Sequence, residues 1–215
     1  MKRRLFILWF IIFLAWALYR ANFFNPDWID EFIVKPLIFV LPVLVVNFFV
    51  ERQGLVGLGL SAPFKNLLID GYIGVVLGVL FAVEGMFANL IKYGTFSFTP
   101  LLQFHLAGGV GLFLLINIAT AVSEEILARG YLYNRLFTLS KQQFWAALVS
   151  NLLFLILHIP IIFSRLHLSG FSIIMYPATI VILGFTNCYL FTLRKSIVLP
   201  ILLHTFWNMT VALYL

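Results

Sequence analysis

Glu124 and Glu125 stand side by side in apolar sequence, in the run Ser123-Glu124-Glu125-Ile126-Leu127-Ala128-Arg129-Gly130. No Lys, Arg, Asp or Glu occurs between Tyr93 and Ser123. Carboxylates beside a run of hydrocarbon-spanning length are costly to place, so they mark a functional site. Two later apolar segments carry His158 and His204, and Asn208 follows His204 by one helical turn. A glutamate in a low-dielectric cavity can act as a general base, with a histidine beside it sharing the proton or orienting the attacking water. His204 and the Asn208 amide are donors suited to a developing oxyanion. Glu124, His158, His204 and Asn208 are thus a residue set for amide hydrolysis. Glu124, His158 and His204 are also the ligand types of a three-ligand zinc site with an open water position. The pattern H-E-x-x-H is absent, so any metal site would be assembled across helices.

In a helix, positions four apart share a face, so Glu125 can reach Arg129 while Glu124 points about 100° away. Asn117 and Thr120 precede Glu124 on its face and make that face polar. The plainer reading sets both glutamates at a water-exposed helix end near Arg135. His158 has a plain reading too, as a hydrogen-bonded packing residue. Pro160 removes a backbone hydrogen bond to Ile156 and opens the geometry around that histidine. Glu84 has two readings, lining the cavity or facing water. Asn187 is expected to hydrogen-bond between helices, and Gly108, Gly109 and Gly111 to permit close helix packing. His105 and His167 fall near loops and receive no role.

These residues must be carried by membrane helices. Of the 215 residues, 63% are hydrophobic and 10% charged, and mean hydropathy is +1.06. A soluble domain of this length needs a far more polar surface. The apolar segments run roughly over 5–24, 33–50, 67–91, 106–137, 143–163, 171–193 and 196–215. They exceed strand length and lack alternation, which predicts an all-α polytopic transmembrane bundle of about seven spans. No internal repeat appears, so residues 1–215 read as one domain, with a motif-bearing core over about 106–215. The basic start, Lys2-Arg3-Arg4, reads as the flank of a retained first span rather than a cleaved signal peptide.

The residues before Phe32, with Asp27, Asp30 and Glu31, read as a polar loop; Gly54 to Pro63 reads as a turn region. Basic residues favour an N-in, C-out topology: Lys2, Arg3, Arg4, Arg52, Lys65, Arg135, Lys141, Arg194 and Lys195 fall inside. Arg20, Lys35, Lys92 and Arg165 fall outside. The net charge of +6 follows these span ends and forms no basic face for nucleic acid. Cys188, the single cysteine, reads as a packing residue. At 1.5 Å per residue, Glu124, His158 and Asn208 come to lie roughly 18–22 Å from one boundary, and His204 about 12 Å.

Three patterns in this order resemble the CPBP family, the CAAX proteases and bacteriocin-processing enzymes. E-E-x-x-x-R is Glu124-Glu125…Arg129, F-x-x-x-H is Phe154…His158, and the last is His204…Asn208. Arg129-Gly130-Tyr131-Leu132 and Ser196-Ile197-Val198-Leu199-Pro200 match as well, and the likeness covers about Asn117 to Asn208. It implies an intramembrane endopeptidase acting on membrane-associated or prenylated-type peptides. Glu124 would be the base, His158 its partner, His204 and Asn208 the oxyanion donors, and Glu125, Arg129 and Phe154 the support. Ala128 departs from the aromatic residue that members often carry before the arginine. The family has been described both as zinc-dependent and as glutamate-dependent; the glutamate mechanism, with no cofactor, is the reading favoured here and zinc the alternative. The implied partners are the lipid bilayer and a peptide or lipidated-protein substrate. The implied location is a prokaryotic plasma membrane. A non-catalytic binding or immunity protein that keeps the fold is the rival, although no motif residue is missing. A transporter is disfavoured by the lack of internal repeats.

Overall fold

Backbone groups in hydrocarbon must satisfy one another, so long apolar segments fold as helices. A computed structural model describes residues 2–94, 109–166, 170 and 172–214 and contains helices and turns without a strand among them. The helices are α1 (Lys2–Asn22), α2 (Asp27–Val50), α3 (Phe64–Tyr93), α4 (Gly109–Ser140), α5 (Gln143–Ile161), α6 (Ser172–Arg194) and α7 (Val198–Tyr214). One further turn, Ile162–Leu166, extends α5. The helices α1 to α6 are each long and apolar enough to cross a membrane. The last, α7, has 17 residues, or about 25 Å against a hydrocarbon core of about 30 Å. It is shorter than the span expected over 196–215, because the chain turns at Ser196, whose hydroxyl accepts from Val198 N at 3.1 Å.

α1 shows how one helix serves two solvents. Leu5, Leu8, Ile12, Trp16 and Arg20 form its buried stripe at helical spacing. Phe6, Phe10, Ile11, Leu14 and Leu18 are exposed on the other side, an apolar surface that suits lipid.

α2 corrects the sequence reading. The polar loop is confined to residues 23–26, and the helix begins at Asp27, directly after Pro26. Asp30 and Glu31 are therefore helical, and Asp30 and Lys35 are buried. Burial is tolerated because the charges are matched. Arg20 Nη1 donates to Asp30 Oδ2 at 2.6 Å, the Tyr19 hydroxyl donates to Asp30 Oδ1, and the Arg20 guanidinium lies 4.3 Å from the Trp16 ring. Pro36 and Pro42 lack the N–H that an α-helix needs. Wide turns at Asp30–Val34, Pro36–Val40 and Val46–Val50 flank them and keep the helix continuous.

The turn region after α2 ties several helices together. Arg135 donates to Glu51 at 2.7 Å, to Asn47 Oδ1 at 2.7 Å and to the Gly57 carbonyl at 2.9 Å. Ile197 N donates to the Gly59 carbonyl at 3.0 Å, which fixes the start of α7. Gly59 is left-handed (φ 70°) and a Cβ there would sit 2.6 Å from the Phe191 ring. The close approach expected at Gly109 and Gly111 is not found: a Cβ at either would meet no described atom within 4 Å. Gly74 and Gly78 do that work, bringing α3 onto Leu202 and Phe206 of α7.

Candidate active site

α4 carries the two glutamates at the point where its winding changes. It is α-helical through Glu125 and then widens over Ile126–Tyr133, a stretch whose eight residues are all buried. Glu125 is fully buried, and its Oε1 accepts three bonds. Arg129 Nη1 donates at 2.9 Å from one turn on, Asn187 Nδ2 at 2.9 Å from α6, and His204 Nδ1 at 2.8 Å from α7. Asn187 Nδ2 also donates to the Pro200 carbonyl at 3.2 Å, the interhelical bond expected of it. Arg129 reaches Asn151 Oδ1 at 3.5 Å on α5, and its guanidinium lies 5.2 Å from the Phe154 ring. The carboxylate thus joins α6 and α7 to its own helix, and its partner Arg129 extends the link to α5.

Glu124 faces the other way. Its Oε1 accepts from Lys35 Nζ at 2.7 Å. Its Oε2 lies 3.6 Å from His204 Nε2 and 3.9 Å from His158 Nε2. Both rings have their Nδ1 committed: His204 to Glu125, and His158 to the Phe154 carbonyl at 3.0 Å, an acceptor that fixes Nδ1 as the protonated nitrogen. Phe154 also packs edge-on against His158, 4.6 Å between ring centres. With Nδ1 committed on both rings, the Nε2 atoms are the ones that face a carboxylate oxygen of Glu124. A molecule that donates two hydrogen bonds, as water does, suits that gap.

The gap opens into a cavity of about 180 Å³, which Asn208, Thr120 and Tyr176 also line. Trp16, Phe39, Leu157, Ile180 and Trp207 supply apolar walls. Glu124, His158 and His204 also face one another as the proposed zinc ligands would. Among the described residues, however, no group of three or more His, Cys, Asp or Glu is placed to hold a metal ion.

The structure brings together every residue named for the chemistry: Glu124, His158, His204 and Asn208 on the cavity, with Glu125, Arg129 and Phe154 behind it. Asn117 donates to the Phe113 carbonyl at 2.8 Å, and Glu84 is exposed on α3, away from the cavity. His105, His167 and Gly108 lie outside the described residues. Sequence reasoning missed Lys35, Glu31 and Asn151. Lys35 was placed among the outer basic residues; it is buried instead, in contact with both Glu31 and Glu124. The signal for the first two was present: an acid and a base four apart, at the start of an apolar run.

Residues 106–210 match the family model described as Type II CAAX prenyl endopeptidase Rce1-like. All the motif residues fall inside that match, whereas Glu31 and Lys35 fall outside it. No curated protein and no solved structure matches the chain. The helices of spanning length and this family match together support a multi-pass membrane protease acting on peptides. Over residues 106–210 the chain is similar to the CAAX-type intramembrane proteases of the CPBP family.

Proposed function

We propose that the protein is a glutamate-dependent endopeptidase that cleaves membrane-associated or prenylated-type peptides, working in a prokaryotic plasma membrane. The observation that carries the reading is the meeting of Glu124 Oε2 with the Nε2 atoms of His204 and His158 at 3.6 and 3.9 Å on one cavity. A water held there donates one proton to Glu124 and attacks the substrate carbonyl, and His158 orients it. General-base help of this kind contributes about 10²–10⁴-fold to the rate. The carbonyl oxygen becomes an oxyanion and takes hydrogen bonds from His204 and Asn208. Glu124 then passes its proton to the amide nitrogen as the C–N bond breaks, releasing an amine and a carboxylic acid.

To donate through Nε2, His204 must carry protons on both nitrogens, since Nδ1 already donates to Glu125. Glu125, Arg129 and Phe154 support the site by holding the two imidazoles in place.

A direct test takes the purified protein in lipid nanodiscs against a library of membrane-proteome peptides, with and without a strong zinc chelator. Cleavage that survives the chelator fits water activation by Glu124. Cleavage lost to the chelator and restored by zinc would instead make Glu124, His158 and His204 metal ligands.

A further inference from the structure

Lys35 and Glu31 are one turn apart on α2, and Thr120 and Glu124 are one turn apart on α4. The four side chains form an unbroken chain of contacts from Thr120 to Glu124. Thr120 Oγ1 donates to Glu31 Oε2 at 2.7 Å, Lys35 Nζ lies 2.8 Å from the same oxygen, and Lys35 Nζ donates to Glu124 Oε1 at 2.7 Å. Lys35 and Glu124 are buried, and Lys35 lines the cavity. A lysine brought into a span at this cost has a use there.

We propose that Lys35 is the positioning residue of Glu124, and that Glu31 and Thr120 position Lys35 in turn. The physical reason lies in the last torsion of a glutamate, which is broad and roughly two-fold, so a carboxylate on its own does not choose which oxygen it presents. The Lys35 ammonium takes Oε1 and leaves Oε2 turned to His158 and His204. A lysine alone would be too mobile for that task. The Glu31 carboxylate, one turn back on the same helix face and itself held by the Thr120 hydroxyl, steadies the ammonium. The catalytic segment 106–210 would then depend on α2 for the aim of its base.

This inference rests on Glu124 acting as the base, so Glu124→Gln is assayed beside the Lys35 variants. The test is Lys35→Ala in nanodiscs, assayed on the best peptide of the library, alone and with propylammonium or 1-propanol added. Misplacement of a base by about 1 Å costs on the order of 10²-fold. Lys35→Ala is therefore expected to lose about that much kcat with KM within about threefold, the pattern of an interaction made in the transition state. Propylammonium, which rebuilds the deleted atoms, is expected to restore kcat in a saturable way, and the uncharged propanol is not. Should Lys35→Ala fail to fold, Lys35→Met supplies the same kcat and KM comparison with the volume filled, and Lys35→Arg is expected to recover part of kcat.

Lys35→Ala or Lys35→Met with wild-type kcat, while Glu124→Gln is inactive, would overturn the proposal and leave the base reading standing. Equal rescue by propanol would overturn it as well, by reducing Lys35 to packing. An active Glu124→Gln would overturn the reading on which the proposal rests.

Discussion

His204 donates through Nδ1 to Glu125 at 2.8 Å, while Nε2 of the same ring lies 3.6 Å from Glu124. One imidazole thus joins two neighbouring carboxylates that point to different tasks. Glu125 is held by donors from three helices and faces no open space. Glu124 is tied at one oxygen and open to the cavity at the other.

The buried pair behind the site is expected to be structural. Glu125→Ala leaves the Arg129 guanidinium without its carboxylate, and Arg129→Ala leaves the carboxylate without its cation. Each is expected to destabilise by about 3–5 kcal/mol, the usual cost of orphaning one member of a buried ion pair. Thermal unfolding of the solubilised protein measures it. A variant that is inactive yet as stable as wild type would show that the pair serves chemistry and not the fold.

Asn187→Leu removes the donor that Glu125 Oε1 and the Pro200 carbonyl share. Leaving these buried acceptors short of a partner costs about 1–3 kcal/mol. Since His204 leans on the same Glu125 oxygen, cleavage is expected to fall as well. Unchanged unfolding and unchanged turnover would mean that the α6 contact is dispensable.

Two glycines on α3 make a matched pair. A Cβ at Gly78 would sit 2.6 Å from the ring of Phe206, which stands on α7 midway between His204 and Asn208, two residues from each. Gly78→Ala is expected to cost about 1–3 kcal/mol by overpacking and to lower activity by moving α7. Gly71 has no atom within 4 Å of such a Cβ. Gly71→Ala is expected to be neutral or stabilising by up to about 1 kcal/mol, because alanine favours the helix. Unfolding curves and cleavage rates of the two variants, run together, decide the matter; equal effects would contradict the packing described here.

Much of this architecture was legible in the sequence, for identifiable reasons. Hydropathy located the helices because a bilayer leaves the backbone few alternatives. The spacing of Glu125 and Arg129 foretold their bond because i and i+4 meet on one face. Lys35 was misread because charge counting treats a basic residue near a span end as a topology marker. Only the tertiary fold brings Glu124 to within 2.7 Å of it, from a helix 89 positions along the chain. The same limit applies to Asn151, whose partner Arg129 is on α4. Glycine pattern alone misled at Gly109 and Gly111, since small residues permit close approach without causing it.

The central claim is that Glu124 takes the proton from the attacking water, and Glu124→Gln tests it most directly. The amide keeps the size and the acceptor oxygen but gives up the basic carboxylate. Peptide cleavage by wild type and Glu124→Gln would be measured side by side in nanodiscs, with unfolding curves to show that both are folded. A folded variant with turnover down by about 10²-fold or more is the predicted result. A folded variant that cleaves at the wild-type rate would contradict the account.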